Sequence, residues 1–496
     1  MPFAYLRKQR ESASLHGNPA PRGVSLGKAV RIALVAVVLV PLALWLPWLH
    51  SALGPSGLPD HWVRSSPGLE SECGTVTHDG AALLYCEDIE AIPGTSTVLV
   101  SCDANRPRWN TVMGPLTDPG PRGTLYAYSL NGSKQAVPVE LTGYPREKDF
   151  HPLGMSMFTG SKGTRLFVVN HARDRSTVEV FDLVLEKEGW VAKWVRDVVH
   201  VVATHTPNSI HALSSTSFVV TNDHLFARRP GPLAHTLALL HHLFLGPYDE
   251  CRSDVLTWTL LQVAKVLTHR GVAARLAQIE TLLGLPLGWV SFVDLTTDVD
   301  ARILARGIPF ANGITLTPDN KLAVAATTYP GIYFYSYSPP HSSSSPLHLH
   351  SKLHLPFRVD NLALSVPPRS AGDDAWGGRV LLATGHPAPL KLMAMSRNVT
   401  NRAPSWSVAI TPFSGADEWE DKAAPLPAHR FVLSHNPAWS VRTLFQSNAS
   451  PATPDRQSLA SSASTFYRPY DHHPHAGTLL VSGLYDSLLQ CSNVST

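Results

Sequence analysis

The sequence has no excess of charge of one sign: 41 Lys and Arg residues stand against 38 Asp and Glu residues, and the formal net charge is +3. Nucleic-acid-binding proteins usually carry a strong basic excess, so this balance argues against that class. The one GxSxG string, GVSLG at residues 23–27, lies in the polar, basic segment near the N-terminus rather than in the strand–turn–helix setting of a nucleophile elbow, which argues against an ordinary serine esterase. Cysteine is scarce, and the odd count of five leaves at least one cysteine without a partner in the chain.

One uncharged apolar run lies near the N-terminus, at residues 32–49. Its eighteen residues are long enough to cross the hydrocarbon core of a membrane. Several Lys and Arg residues precede it, and the positive-inside rule places this flank in the cytosol. We therefore predict a cytosolic tail at 1–31, a single-pass signal-anchor at 32–49 and a linker at 50–69, with the remaining chain in the secretory lumen or outside the cell. A cleaved signal peptide is the alternative interpretation.

Four N-glycosylation sequons agree with that topology, at Asn131, Asn398, Asn448 and Asn493. Chance alone would give a few sequons in a chain of this length. They are therefore predicted glycosylation sites that add only modest weight to a lumenal or extracellular location.

From about residue 70 onward the chain consists of short apolar runs separated by turn residues. Examples are 97–100, 166–169, 217–220 and 322–325, rich in β-branched and aromatic residues. Such runs are typical of strands. Many strands and few helices predict a sandwich, a barrel or a propeller.

Residues 232–288 break this pattern because they are rich in leucine and have apolar residues at helical spacing. We predict a helical insert there, either packed on the core or forming an amphipathic cap over an active site or on a membrane. Two further segments, 341–354 and 447–465, are of low complexity. The histidines of the first could bind a metal, but a flexible surface loop is the simpler interpretation.

Acidic and amide residues recur at turns beside the predicted strands. They are Glu87, Asp88, Asn208, Asn222, Asp223, Asn312, Asp360 and Asn361. Singly, each is an ordinary turn residue. Asn312 and Asp360, however, lie 48 residues apart, and Asn208 precedes Asn312 by roughly twice that distance. This is the repeat of a propeller blade, and blades bring the same end of their inner strands to one axis. Oxygen ligands of this kind suit calcium.

Longer strings carry a specific resemblance. CEDIEAIP, HPLGMSMF, LFVVNHARDRSTVEVF, TNDHLF, FANGITLTPD and VDNLALS occur in this order. The chain resembles the paraoxonase/arylesterase family from about residue 70 to 491. The resemblance implies a six-bladed β-propeller over 70–496 and a calcium-dependent hydrolase of aryl esters or lactones.

The resemblance also assigns roles to individual residues. The catalytic-calcium ligands of the family match Glu87, Asn208, Asn312, Asp360 and Asn361. The candidate catalytic histidines are His171 and His386, and Asp223 and His224 match further pocket positions. Asp88 and the Met155 carbonyl match the structural calcium. The disulfide that joins the two ends of the ring matches Cys73 and Cys491.

Two positions depart from the family pattern. Leu153 stands where the family usually has a histidine that is proposed as a base, and leucine cannot accept a proton. His151 lies two residues away. Ser209 stands where the family has an aspartate of the structural-calcium site, so one calcium is expected and the second is an open question.

Two classes of function follow. The first is an esterase or lactonase acting on a small hydrophobic substrate, with calcium polarising the substrate carbonyl. The alternative is a non-catalytic calcium-binding propeller for a hydrophobic ligand or partner, which Leu153 and the leucine-rich insert favour. A gluconolactonase-like or strictosidine-synthase-like enzyme is a third possibility. In each case the expected surroundings are a membrane and no nucleic acid.

Overall fold

A computed structural model of the protein describes residues 73–132, 134–245, 255–338, 347–368, 375–412, 439–451 and 458–495. Their strands form six sheets of four or five strands and one small hairpin of β2 (Thr77–His78) and β3 (Ala81–Ala82). This confirms the predicted six-bladed β-propeller. The predicted anchor at 32–49 lies outside the described residues, and no described helix is both long and apolar enough to span a membrane.

Consecutive strands pair antiparallel within each of the first three blades. Their strands are β4 (Cys86–Ala91), β5 (Thr97–Cys102), β6 (Thr124–Ser129) and β7 (Ala136–Pro138) in the first blade; β9 (Pro152–Gly160), β10 (Gly163–His171), β11 (Ser176–Glu186) and β12 (Gly189–Val198), with β8 (Glu140–Thr142) parallel at the outer edge, in the second; and β13 (Pro207–Ala212), β14 (Ser217–Asn222), β15 (Gly288–Asp294) and β16 (Asp300–Ile308) in the third.

The last three blades repeat this arrangement. Their strands are β17 (Ala311–Leu316), β18 (Lys321–Ala326), β19 (Gly331–Ser336) and β20 (Leu349–His354) in the fourth blade; β21 (Arg358–Leu364), β22 (Leu381–His386), β23 (Ser405–Pro412) and β24 (Trp439–Ser447) in the fifth; and β25 (Ser462–Tyr470), β26 (His473–Gly483), β27 (Leu488–Ser495) and β1 (Cys73–Thr75) in the sixth.

The two ends of the domain close the ring together. Strand β1 pairs antiparallel with β27, with Cys73 directly opposite Cys491. A disulfide joins these two cysteines, as the resemblance predicted. A second disulfide, Cys86–Cys102, ties the start of β4 to the end of β5, and the sequence alone did not predict it. The fifth cysteine, Cys251, lies outside the described residues.

Each blade is buried on both faces because it packs between two neighbours. In β5, the residues from Val98 to Cys102 are all buried, and so are those from Leu322 to Ala326 in β18. These second strands of the first and fourth blades therefore appear in the sequence as nearly continuous apolar runs rather than as an alternation. Aromatic and branched side chains fill the space between blades, such as Phe334 and Trp406 between the fourth and the fifth.

The insert at 232–288 is helical, as predicted. It contains α1 (Leu233–Phe244), α2 (Val255–Leu267) and α3 (Arg270–Leu283), and it connects β14 to β15. Helix α3 ends at Gly284, whose φ of 58° is the left-handed conformation that favours glycine at a helix C-cap. A further helix, α4 (Pro389–Arg397), connects β22 to β23.

Two low-complexity segments contain strands where a flexible loop was the simpler expectation. The second half of the histidine-rich segment forms β20 at the outer edge of the fourth blade. The end of the serine-rich segment begins β25, the inner strand of the sixth blade. Small residues suit that inner strand, because Ser462 and Ala463 are fully buried where strands crowd around the axis.

Candidate functional site

The first strand of each blade lies on the inner side of the ring, and the neighbouring first strands contact one another all the way round. Each of them has a β-bulge close to its beginning. The unpaired positions are Glu87, 153–154, 208–209, 312–313, 360–361 and 463–464. Because a bulge interrupts the alternation of side chains, it re-aims the residue it contains. All five predicted ligands of the catalytic calcium lie in these bulges.

Two glycines allow the inner strands to approach each other at this end. A Cβ atom on Gly313 would lie 2.4 Å from the backbone nitrogen of Leu362, and one on Gly154 would lie 2.7 Å from the Asn208 carbonyl oxygen. Only glycine fits such close backbone contacts. The bulges of adjacent blades are thereby held together.

Hydrogen bonds fix the orientation of the three asparagine amides at the centre. In each case the amide nitrogen donates to a carboxylate. The pairs are Asn208 Nδ2 to Asp223 Oδ2 at 3.2 Å, Asn312 Nδ2 to Asp360 Oδ1 at 2.5 Å, and Asn361 Nδ2 to Glu87 Oε1 at 2.7 Å. A carboxylate accepts only, so the nitrogen must face it. The three amide oxygens therefore point away from these carboxylates.

Four oxygens in this cluster are buried and have no hydrogen-bond partner among the described residues. They are Glu87 Oε2, Asn208 Oδ1, Asn312 Oδ1 and Asn361 Oδ1. Leaving a buried acceptor unsatisfied costs about 1–3 kcal/mol, so four in one place require a common explanation. A hard cation that binds oxygen, such as calcium, fits this donor set.

The electrostatics of the buried carboxylates also favour a bound cation. Burial raises the pKa of Glu87 well above its ordinary value, and the neighbouring carboxylates Asp88 and Asp360 raise it further. A cation at the centre would offset this repulsion. Among the described residues no cluster of three or more His, Cys, Asp or Glu side chains could hold a metal. The donor set here differs because most of its free oxygens belong to amides.

Asp88 lies one residue further along β4 and differs from Glu87 in its partners. Its carboxylate accepts hydrogen bonds from the backbone N–H groups of Ile89 and Met155, both at 2.9 Å, and from the Ser464 hydroxyl at 3.2 Å. Ser209 is held by Thr221, whose hydroxyl accepts from the Ser209 N–H at 2.9 Å. The residues predicted for the structural calcium are thus brought together, but by hydrogen bonds within the protein.

His386 lies at the end of β22 with one ring nitrogen free. Its Nε2 is 3.0 Å from Asp360 Oδ2, whereas its Nδ1 has no hydrogen-bond partner among the described residues. Because the carboxylate can only accept, Nε2 carries a proton and donates to it. His386 also lines a cavity of about 290 Å³. The ring is therefore held in place beside that cavity with Nδ1 still available for a hydrogen bond.

His171 has both ring nitrogens engaged. Its Nε2 donates to the Pro207 carbonyl oxygen at 2.7 Å, so its Nδ1 is the acceptor facing the Thr111 hydroxyl at 2.5 Å. Burial lowers the pKa of His171 to about 4. This ring is neutral and helps to hold the strand that carries Asn208. It could act as a base only after Nδ1 has lost its Thr111 partner.

Asp223 and His224 form a buried pair beside the asparagines. Asp223 Oδ1 is 2.8 Å from His224 Nδ1, and its other oxygen holds Asn208. Burial opposes protonation of His224, but the Asp223 carboxylate outweighs it and raises the pKa of the histidine. His224 Nε2 contacts the Thr281 hydroxyl of α3 at 2.7 Å. The pair thus connects a predicted calcium ligand to the helical insert.

Helix α3 covers this edge of the site. The Glu280 carboxylate accepts the backbone N–H groups of Leu225 and Phe226, both at 2.9 Å. Sequence reasoning missed this contact. The usable signal was that Glu280 is the one acidic residue of a helix rich in apolar residues. The insert therefore packs directly on the loop that follows Asp223.

Leu153 occupies the bulge of β9 and packs in an apolar cluster with Phe167 and Ile210. His151, two residues earlier, forms a buried pair with Asp103, with Nδ1 2.9 Å from Oδ2. This histidine–aspartate pair was not predicted from the sequence, since Asp103 stands in no motif. Three of the four sequon asparagines, Asn131, Asn398 and Asn493, are exposed.

Several known proteins resemble part of this chain in sequence. An arylesterase family model matches residues 84–237. The chain is 28% identical over 212 residues to serum paraoxonase/arylesterase 1 of Mus musculus, covering 42% of this chain and 45% of that protein. It is 25% identical over 310 residues to serum paraoxonase/lactonase 3 of Oryctolagus cuniculus, covering 62% and 68%. The match thus spans about half the length of the first of these relatives.

The matches among solved structures have low sequence identity and low TM-scores. A gluconolactonase of Xanthomonas campestris is 9% identical with a TM-score of 0.38, covering 87% of this chain and 93% of that one. A luciferin-regenerating enzyme is 9% identical with a TM-score of 0.39, covering 85% and 96%.

Proposed function

We propose that this chain, which is related to the paraoxonase/arylesterase family as its motifs predicted, is a calcium-dependent hydrolase of aryl esters or lactones. The relatives named above are described as arylesterases and lactonases. The observation that carries the proposal is a set of four buried oxygens, in the bulges of β4, β13, β17 and β21, that have no hydrogen-bond partner among the described residues. Glu87, Asn208, Asn312, Asp360 and Asn361 would hold the calcium ion.

Bound calcium would supply a Lewis acid that polarises the substrate carbonyl and stabilises the oxyanion. The residues of the chain supply orientation. Asp223 holds the Asn208 amide, and Asp360 orients the His386 ring by accepting a hydrogen bond from its Nε2. The free Nδ1 of His386 would position a water molecule or the substrate in the adjoining cavity. His386 therefore suits this role better than His171, whose two nitrogens are engaged.

The surroundings of the enzyme belong to the same proposal. The apolar run at 32–49 would anchor the chain in a membrane, with the propeller in the secretory lumen or outside the cell. The two disulfides support this location, because structural disulfides persist in oxidising compartments. The exposed sequon asparagines would then carry glycans.

The test uses the full chain with phenyl acetate and a medium-chain lactone, in calcium and after chelation. Asn312→Ala removes one unpartnered oxygen, and Asn401→Ala is the matched control because Asn401 is an exposed asparagine beyond α4. We expect turnover that requires calcium, survives in Asn401→Ala and is lost in Asn312→Ala. Calcium-dependent thermal stabilisation should follow the same order, since a ligand of the native state raises its stability.

Calcium binding without turnover of either substrate would contradict the hydrolase proposal. It would favour the non-catalytic calcium-binding propeller, with Leu153 as the structural reason. Turnover that persists after chelation, or in Asn312→Ala, would contradict the role of the five ligands.

A further inference from the structure

The helical insert is attached to the propeller by polar side chains at the end of α3. Glu280 is only 2% exposed although it is acidic. Its carboxylate accepts the backbone N–H groups of Leu225 and Phe226, and these two residues directly follow the Asp223–His224 pair. Hydrogen bonds to an ionised group are roughly twice as strong as neutral ones. The insert is therefore held to this loop by directed contacts as well as by apolar packing.

Thr281, the next residue of α3, contacts the histidine of that pair. Its hydroxyl donates to the Ala277 carbonyl oxygen at 3.0 Å, so its oxygen can accept from His224 Nε2, 2.7 Å away. The Phe310 ring lies edge-on to the His224 ring, with 4.5 Å between the ring centroids. The other ring nitrogen faces Asp223. The His224 ring is thus fixed between the insert and the propeller.

From His224 the contacts lead to a predicted calcium ligand. The Asp223 carboxylate faces His224 Nδ1 with one oxygen, at 2.8 Å, and accepts from Asn208 Nδ2 with the other, at 3.2 Å. Asp223 and Asn208 are each 3% exposed, and His224 is 4% exposed. The Asn208 amide oxygen, turned away from the carboxylate, is one of the four without a hydrogen-bond partner among the described residues. Its direction therefore depends on where Asp223 is held.

We infer that α3 is a positioning element of the calcium site: Thr281 and Glu280 hold the Asp223–His224 pair, and that pair orients the Asn208 amide. The inference rests on the proposed function in one respect, the binding of calcium by Asn208. Partners that orient a metal ligand typically change metal affinity by about 10- to 100-fold. Because such coupling is reciprocal, bound calcium should also strengthen the docking of α3.

The first experiment measures calcium affinity in the full chain, by calcium titration followed by thermal unfolding. Thr281→Val removes the hydroxyl and keeps the branched shape, and we expect the affinity to fall by about tenfold. Thr281→Ser keeps the hydroxyl and should restore most of the affinity. Thr268→Val is the matched control, because the Thr268 hydroxyl donates to the Ala264 and Lys265 carbonyl oxygens of its own helix. It should bind calcium as the unaltered chain does.

The second experiment measures hydrogen exchange of the α3 amides with and without calcium. Calcium should slow this exchange in the unaltered chain and in Thr268→Val, and the slowing should be smaller in Thr281→Val. A purely structural role of Thr281 would lower thermal stability and leave both the calcium affinity and the slowing unchanged. Should Thr281→Val not fold, Glu280→Gln replaces it, with the same two changes expected because a neutral amide holds the Leu225 and Phe226 N–H groups less strongly.

Asn208→Ala separates this inference from the proposed function. Calcium affinity that is unchanged in Thr281→Val but falls in Asn208→Ala would overturn the positioning role and keep the calcium site. Unchanged affinity in both variants would overturn the positioning role together with the assignment of Asn208 as a ligand. Affinity that falls in both variants, in a chain that hydrolyses neither phenyl acetate nor the lactone, would keep the positioning role and overturn the hydrolase.

Discussion

Glu87 and Asp88 are neighbours on β4, yet their surroundings are opposite. Within the part of the chain that the structure describes, Glu87 has a buried oxygen without a hydrogen-bond partner and stands among three amide oxygens in the same condition. Asp88 accepts three hydrogen bonds from the protein itself. We call the first group, Glu87 with Asn208, Asn312, Asp360 and Asn361, the open layer. Asp88 with Met155, Ser209 and Ser464 forms the closed layer.

The difference shows how one ring of strands produces two kinds of polar centre. In the open layer each asparagine amide nitrogen donates to a carboxylate, so the amide oxygen faces away from that carboxylate and can bind a cation. In the closed layer the backbone N–H groups and a hydroxyl already serve the single carboxylate. These hydrogen bonds offset part of the cost of burying the carboxylate, although burial still raises the pKa of Asp88. The open layer should therefore respond to calcium, and the closed layer should not.

The largest expected effect is that of Glu87→Gln. It removes one of the two carboxylates of the open layer at nearly constant volume, and calcium affinity depends on ligand charge. We expect the affinity to fall by roughly two orders of magnitude and hydrolysis to fall to background. Calcium titration followed by thermal unfolding measures the affinity.

Glu140→Gln provides the matched control, because Glu140 is exposed on the outer strand β8. It should bind calcium as the unaltered chain does. Unchanged calcium affinity in Glu87→Gln would show that the open layer is not the calcium site.

An intermediate effect is expected from the two disulfides. Replacing Cys86 and Cys102 with serines removes the disulfide that holds β4 to β5 next to the Glu87 bulge. We expect calcium binding to weaken by about tenfold, which is the scale of a lost supporting contact. By loop-closure entropy the replacement also destabilises the fold by about 3 kcal/mol, against about 6 kcal/mol for Cys73–Cys491, which closes a far longer loop.

Removing Cys73–Cys491 should therefore cost more stability but less calcium affinity. Denaturant unfolding and calcium titration of both double-serine variants measure the two quantities. The same order in both measurements would mean that the Cys86–Cys102 bridge has no particular role in the open layer.

Much of the open layer could be predicted from the sequence, because its residues stand in long family motifs at blade spacing. The Cys73–Cys491 bridge followed from the same resemblance. What escaped prediction depends on contacts distant in sequence. Asp103 meets His151, and Glu280 meets the loop after Asp223, through packing that no local pattern contains.

The inner strand β25 escaped for a different reason. Its first residues, Ser462 to Ser464, are small and mostly polar, a composition typical of loops. They are buried because they stand where six strands crowd around one axis, and small side chains fit that space. The local composition shows that these residues are polar, but whether they are buried depends on their position in the ring of blades.

The smallest effect on calcium should come from Asp88→Asn, which tests the closed layer directly. The new amide retains one acceptor, but its nitrogen faces a donor, so we expect a loss of about 1–3 kcal/mol of stability. Calcium affinity should change by no more than about threefold, because the open-layer ligands remain in place. Calcium stoichiometry by equilibrium dialysis should stay at one ion per chain. A second site in the closed layer would instead give two ions in the unaltered protein and one in the variant.

Ser209→Asp completes the test. It adds a carboxylate beside Asp88 and should destabilise the calcium-free chain by repulsion, which added calcium would relieve. A second ion bound by the unaltered chain would mean that hydrogen bonds to a carboxylate do not exclude a metal, and the distinction between the two layers would fail.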